Sequence, residues 1–259
     1  MKKLLLTPFL LLALTSIVFA QTDSKKSSKK EMPEKKNVVK LNITSLAFKN
    51  IGVQYERALT PKIAVAAQLR FMPKGTPLFY NNLQSQLQED GSSDVKLGGA
   101  HISSFAFTPE FRFYPGKALK GFYLAPYFRF RTLGFGSDIT FLDSNKISRL
   151  ATLDGKITTF AGGLMIGSHF KIGKQFSLDW FILGAHFGSN KGKIAMTVQG
   201  SNMTVADQIK LKNDLQQTFD DSKIFKNNTV TTTANSAEVT TTFGMLGLRG
   251  FGLNFGYRF

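Results

Sequence analysis

The chain has no cysteine among its 259 residues. Disulfide scaffolds, thiolate metal centres and cysteine nucleophiles are thereby excluded. Histidine is nearly as scarce: His101, His169 and His186 stand far apart without zinc-ligand spacing, so no metal or other cofactor is expected. Acidic residues are few, 17 against 33 Lys and Arg, which leaves a formal charge of +16. Beyond the N-terminus no stretch reaches the roughly 18 uninterrupted apolar residues that a spanning helix needs. A phosphate-cradling glycine loop is also missing, because neither Gly162-Gly163 nor the glycines from Gly247 to Gly256 open a helix after a strand.

What is present begins with an export signal. Lys2 and Lys3 precede an apolar run from Leu4 to Leu14, and Val18-Phe19-Ala20 offers a small-x-small cleavage site, so residues 1–20 read as a signal peptide. An uncleaved membrane helix is the alternative, against which the run is short. Residues 21–37 read as a disordered basic tether, since six lysines with Ser and Pro cannot bury enough surface to fold. It is either a solvated spacer or a contact for an anionic envelope polymer. In an exported chain this charge points to lipopolysaccharide and other anionic surfaces, not to nucleic acid.

From residue 38 to 259 the hydrophobic period is two. The last ten residues make the pattern plainest: Phe251, Leu253, Phe255, Tyr257 and Phe259 share one face, while Gly252, Asn254, Gly256 and Arg258 share the other. A terminal aromatic with apolar residues at alternate positions before it resembles the closing strand of Gram-negative outer-membrane barrels. On that resemblance Phe255, Tyr257 and Phe259 form the signal for the barrel-assembly machinery. Turn residues divide the chain into eight strands, the last over about Glu238 to Phe259. Short turns at Thr60 to Lys62, Pro115 to Leu119 and Gly173-Lys174 fall on one side, with both termini. Lys49-Asn50 and long loops over 73–98, 134–156 and 188–236 fall on the other. The expected fold is an all-β, eight-stranded antiparallel up-and-down transmembrane β-barrel with periplasmic turns and termini and extracellular long loops.

The sign of the faces favours lipid outside. Glu56, Arg70, Glu110, Arg112, Arg129, Arg131, Asp179 and Arg258 lie opposite the Phe-rich faces. A soluble β-sandwich, the rival reading, would have to enclose phenylalanine within and leave this charge outside. Closure into a barrel satisfies every backbone polar group in lipid, which an open sheet does not. Eight strands enclose a bore that side chains nearly fill. Glu56, Arg70, Glu110, Arg112, Arg129 and Arg131 are therefore expected to form an interior ion-pair network, with a narrow polar conduit as the alternative.

The segment Lys40-Leu41-Asn42 to Phe48, followed by Tyr55-Glu56-Arg57-Ala58-Leu59-Thr60-Pro61-Lys62, resembles a family of small outer-membrane barrels of unknown function common in Bacteroidota. The likeness is specific over residues 40–62, and over the rest only the OmpA-like layout is similar. It implies fold and membrane and brings no catalytic residue.

Two further features are weighed. His101 and Ser103 share outward parity near a strand end, with Asp138 beyond the end of the next strand, which is nucleophile logic resembling a lipid A deacylase. Two polar residues at a water interface is the plainer reading. Thr204 with Asp207, followed by Ile209, Leu211, Leu215 and Phe219, predicts a short capped amphipathic helix over residues 204–223. The expected function is non-enzymatic: a structural or surface-interaction protein of the outer membrane with a filled polar interior, the alternatives being a narrow pore or a lipid A-modifying enzyme.

Overall fold

The computed structural model describes residues 32–77, 80, 95–142, 148–200 and 202–259. The expected signal peptide, the tether up to residue 31 and most of the 73–98 loop lie outside these residues. Among the described residues eleven strands form one antiparallel sheet: β1 (Asn37–Asn42), β2 (Ile51–Ala58), β3 (Ile63–Gly75), β4 (Val95–Leu97), β5 (His101–Phe113), β6 (Gly121–Leu142), β7 (Ser148–Ile172), β8 (Phe176–Val198), β9 (Phe225–Thr232), β10 (Ser236–Arg249) and β11 (Gly252–Arg258). Two helices interrupt them with bounds that lie wholly among the described residues, α1 (Ile43–Leu46) and α2 (Val205–Asp220). Among the described residues no helix is long and apolar enough to cross a membrane.

The sheet closes on itself through eight strands in the order β1-β2-β3-β5-β6-β7-β8-β11, with β11 returning to β1. At the closure Asn37 and Phe259 exchange two backbone hydrogen bonds of 3.0 Å each. The C-terminal strand therefore seals the ring against the first strand, so this stretch of the ring has no free edge. Period-two alternation decides which side chains face inward. Along β1, Val38, Lys40 and Asn42 are buried while Val39 and Leu41 are exposed. Along β5, Phe105, Phe107, Phe111 and Phe113 are exposed, and Ala106, Thr108, Glu110 and Arg112 are buried. Large inward side chains fit because small residues stand beside them. Phe181 lies across Gly252, where an added Cβ would come 1.7 Å from its ring, and Tyr123 crowds the same space over Gly167.

Two of the long connections are more ordered than their polarity suggests. β6 and β7 stay paired without a register shift from Leu133↔Ile157 to Leu142↔Ser148, where a loop over 134–156 is expected from sequence. The ladder needs only backbone groups, and Ile139, Thr140 and Phe141 suit a strand although the outward face has lost its apolar residues. Likewise the 188–236 segment contains the upper part of β8, α2 and β9. α2 starts with a capping box between Thr204 and Asp207, as its sequence predicts, and joins the sheet through Phe219, Phe225 and Phe243, whose successive ring centroids lie 5.2 and 5.7 Å apart.

The expected last strand is split in two. β10 pairs with β8 down to Arg249↔Gly184, and β11 resumes at Gly252↔Phe181 in the same register. The gap lies beside a bulge in β8, where Ile182 is the extra residue between Ile166↔Leu183 and Gly167↔Phe181. A bulge bends its strand and disrupts the ladder locally, which accounts for the interruption at Gly250-Phe251. Replacing Gly252 by Leu should lower the unfolding free energy of the refolded protein by about 1–3 kcal/mol, seen as a lower chemical-denaturation midpoint. An unchanged midpoint would contradict the close approach of Phe181.

Candidate functional site

Inside the ring most of the charged residues sort into two layers, while Arg258, also buried, stands outside both. The lower one is built around Arg112, which is wholly buried on β5. Its Nη1 donates to Glu56 Oε2 at 2.8 Å and to Asp179 Oδ2 at 2.7 Å, and its Nη2 donates to Glu110 Oε2 at 2.6 Å. Lys40 Nζ donates to both Glu56 and Asp179. Two phenols complete the shell: Tyr114 donates to Glu56 Oε1 at 2.6 Å and Tyr123 to Asp179 Oδ1 at 2.8 Å. Glu110 also accepts from Arg249 Nη1 at 2.7 Å, and Arg249 Nη2 donates to Gln68 Oε1 at 2.6 Å. Three carboxylates thus face Lys40, Arg112 and Arg249, so the layer is balanced in charge. Such pairing is what full burial of ions requires.

Of the six residues expected to pair, the structure brings Glu56, Glu110 and Arg112 together and leaves Arg70, Arg129 and Arg131 out. The partners come instead from Lys40, Asp179 and Arg249. Their alternation signalled it: Lys40 lies between outward Val39 and Leu41, and Arg249 follows outward Leu248. Glu56, His169 and Asp179 bring ligand atoms within 4.8 Å of one another, a spacing that could hold a metal ion. Lys40 and Arg112 occupy the same oxygens, so a divalent cation would have to displace two side-chain cations.

Above this layer lies a cavity of about 380 Å³ whose lining includes Arg70, Arg129, Arg131, Thr159, His186 and Arg249. Arg70 and Arg131 stand in one cross-strand row with Ala106 between them, and the next residue in that row is Thr159. Arg129 lies two residues below Arg131, opposite Ala161. Alanines in the intervening positions leave the space that the guanidinia enter. Among the described residues no carboxylate lies within ion-pair distance of Arg70, Arg129 or Arg131; Arg131 Nε donates only to Ser104 Oγ, at 3.3 Å.

The remaining candidates stand apart from the interior. Phe255, Tyr257 and Phe259 are exposed along β11, where Phe255 stacks on Phe176 with centroids 5.4 Å apart. His101 faces Asp154, not Asp138: its Nε2 is 3.9 Å from Asp154 Oδ1 across Gly136, while Asp138 accepts from Thr152 Oγ1 at 3.2 Å. Ser103 lies over Gly134 in the neighbouring row, and among the described residues no hydrogen bond joins it to His101. The base-to-nucleophile contact that activation of a serine uses is therefore not made.

Replacing Arg112 by Met leaves Glu56, Glu110 and Asp179 sharing fewer cations in a closed interior. The variant should lose about 3–5 kcal/mol of stability in a urea titration. A midpoint equal to that of the parent would contradict the central role given to this guanidinium.

No curated protein and no solved structure matches the chain. A family profile does match, over residues 9–208, which is more than half of the sequence and takes in β1 to β8 together with the start of α2. The chain belongs to the family described as protein of unknown function (DUF3575).

Proposed function

We propose that the chain is an integral outer-membrane β-barrel with a structural or surface-interaction role, sealed inside and without enzymatic activity. The observation that carries the reading is the inversion of its faces. Lys40, Glu56, Arg112 and Asp179 are buried to within 1 % of full enclosure, while Phe71, Phe128 and Phe160 are about half exposed, at 52, 48 and 52 %. A ring of exposed aromatic and aliphatic side chains of this extent exceeds what a water-soluble monomer leaves bare. In lipid the same ring is the favourable surface, and the ring of paired strands leaves few backbone groups there unsatisfied. The C-terminal aromatics suit recognition by the barrel-assembly machinery, and the basic tether and positive charge suit anionic lipid, lipopolysaccharide and envelope polymer. On this placement both termini are periplasmic and the β6–β7 hairpin, α2 and β9 extend outside.

The charge-balanced layer around Arg112 favours a sealed interior over a narrow pore, because ions would have to break its buried ion pairs to pass. The gap between His101 and Ser103 leaves the lipid A-modifying reading without its nucleophile. Two measurements test the proposal. The protein should fractionate with the outer membrane and migrate faster on a gel unboiled than boiled; identical migration would contradict a barrel. In planar bilayers it should give no steady conductance, and reproducible single-channel steps would overturn the sealed interior.

A further inference from the structure

The upper cavity is built unlike the layer beneath it. Every buried carboxylate of the lower layer is paired, whereas the three guanidinia of Arg70, Arg129 and Arg131 converge without an acid among the described residues. Burying like charges together is costly unless a counter-charge joins them. Arg70, Arg129, Arg131 and Arg249 all line this cavity, and among the described residues only Arg249 meets a carboxylate. The wall is positively charged, and the missing component is an anion. Planar guanidinia with several donors match the oxygens of phosphate better than a single-atom anion does.

The entry to the cavity has an amphiphilic rim. β1 rises only to Asn42, opposite Asn254, before the chain turns through α1. β10 pairs with β9 only from Phe243 upward, so among the described residues Gly244 to Arg249 have strand partners on the β8 side alone. A seam is left between α1 and β10, and Ser45, Phe48, Gly247 and Phe251 line the cavity from its two sides. Around it Phe48, Leu246, Leu248 and Phe251 are exposed at 59, 84, 72 and 56 %. Cationic donors within and apolar side chains at the lip suit a molecule with a phosphate head and a hydrocarbon body.

We propose that the cavity bounded by Arg70, Arg129 and Arg131 is a binding site for a phosphate group. The phosphate is either a free anion or the head of an anionic lipid that enters through the seam. Only the lipid source rests on the membrane placement proposed above; free phosphate would reach the cavity in any setting.

The test uses the full mature chain in neutral detergent and follows its thermal midpoint against two probes. One is inorganic pyrophosphate and the other is phosphatidic acid mixed into the micelles, each with potassium chloride at matched ionic strength as control. A saturable rise of roughly 5 °C or more with either probe supports the site. Response to pyrophosphate identifies a free anion, and response to phosphatidic acid alone identifies a lipid head. Arg129→Gln and Arg131→Gln should each weaken apparent affinity roughly tenfold or more while leaving the ligand-free midpoint at or above that of the parent, because a like charge is removed. Arg70→Lys keeps the charge but loses the planar fork and should weaken binding as well. Absence of a shift with both probes, an equal shift with chloride, or a shift that survives all three substitutions would overturn the proposal.

Discussion

One guanidinium holds three carboxylates that come from three different strands. Glu56 on β2, Glu110 on β5 and Asp179 on β8 are remote in sequence, yet Arg112 bonds to all of them and Lys40 bridges two. This contact ties opposite walls of the ring together through its middle. It also constrains the rest of the interior. The long side chain of Arg112 needs space, which Ala64 and Ala66 supply on the neighbouring strand, and its face is covered by the Tyr123 ring with the guanidinium carbon 4.4 Å from the centroid. A substitution at any of these positions changes both packing and charge balance.

Charge is segregated along the axis of the ring. At the Arg112 level acids and bases are matched; at the Arg129 level bases stand alone around open space. Arg249 joins the two, with Glu110 on one side and the cavity on the other. Natural interiors retain uncompensated charge where a ligand, solvent or a partner completes it. The paired layer and the proposed anion site thus occupy different levels of one bore, and Gly250 and Phe251, where the last strand is interrupted, line the cavity of the upper one.

Much of the ring was legible in the sequence because a single rule produced it. Alternation placed Phe105 to Phe113 outward and Glu110 and Arg112 inward, and the terminal run from Phe251 to Phe259 announced a closing strand. Three things were not legible. Pairing partners are set by register, a long-range property, so parity could show that Arg129 and Asp179 both point inward without showing that they occupy different levels. The upper part of β6 has lost the apolar residues of its outward face, with Gly134, Gly136, Asp138 and Thr140 in their place, so its sequence resembles loop although the ladder continues through it. The bulge at Ile182 depends on how β7 and β8 pair, and with it the division of the last strand. The resemblance seen over residues 40–62 led to a family without an assigned function, so the chemistry of the interior had to come from geometry.

In the proposed placement apolar side chains face lipid while ionised ones face each other across the bore. Because the chain has no native cysteine, single cysteines along β6 can each carry one spin label in the protein reconstituted into bilayers. Labels at Phe122, Leu124, Phe128 and Phe130 should be reached by dissolved oxygen, which partitions into hydrocarbon, and labels at Tyr123, Tyr127 and Arg129 should be shielded from it. A period-two oscillation of oxygen accessibility is the predicted result. Uniform accessibility along β6, or a high value at Arg129 with a low one at Phe128, would contradict it.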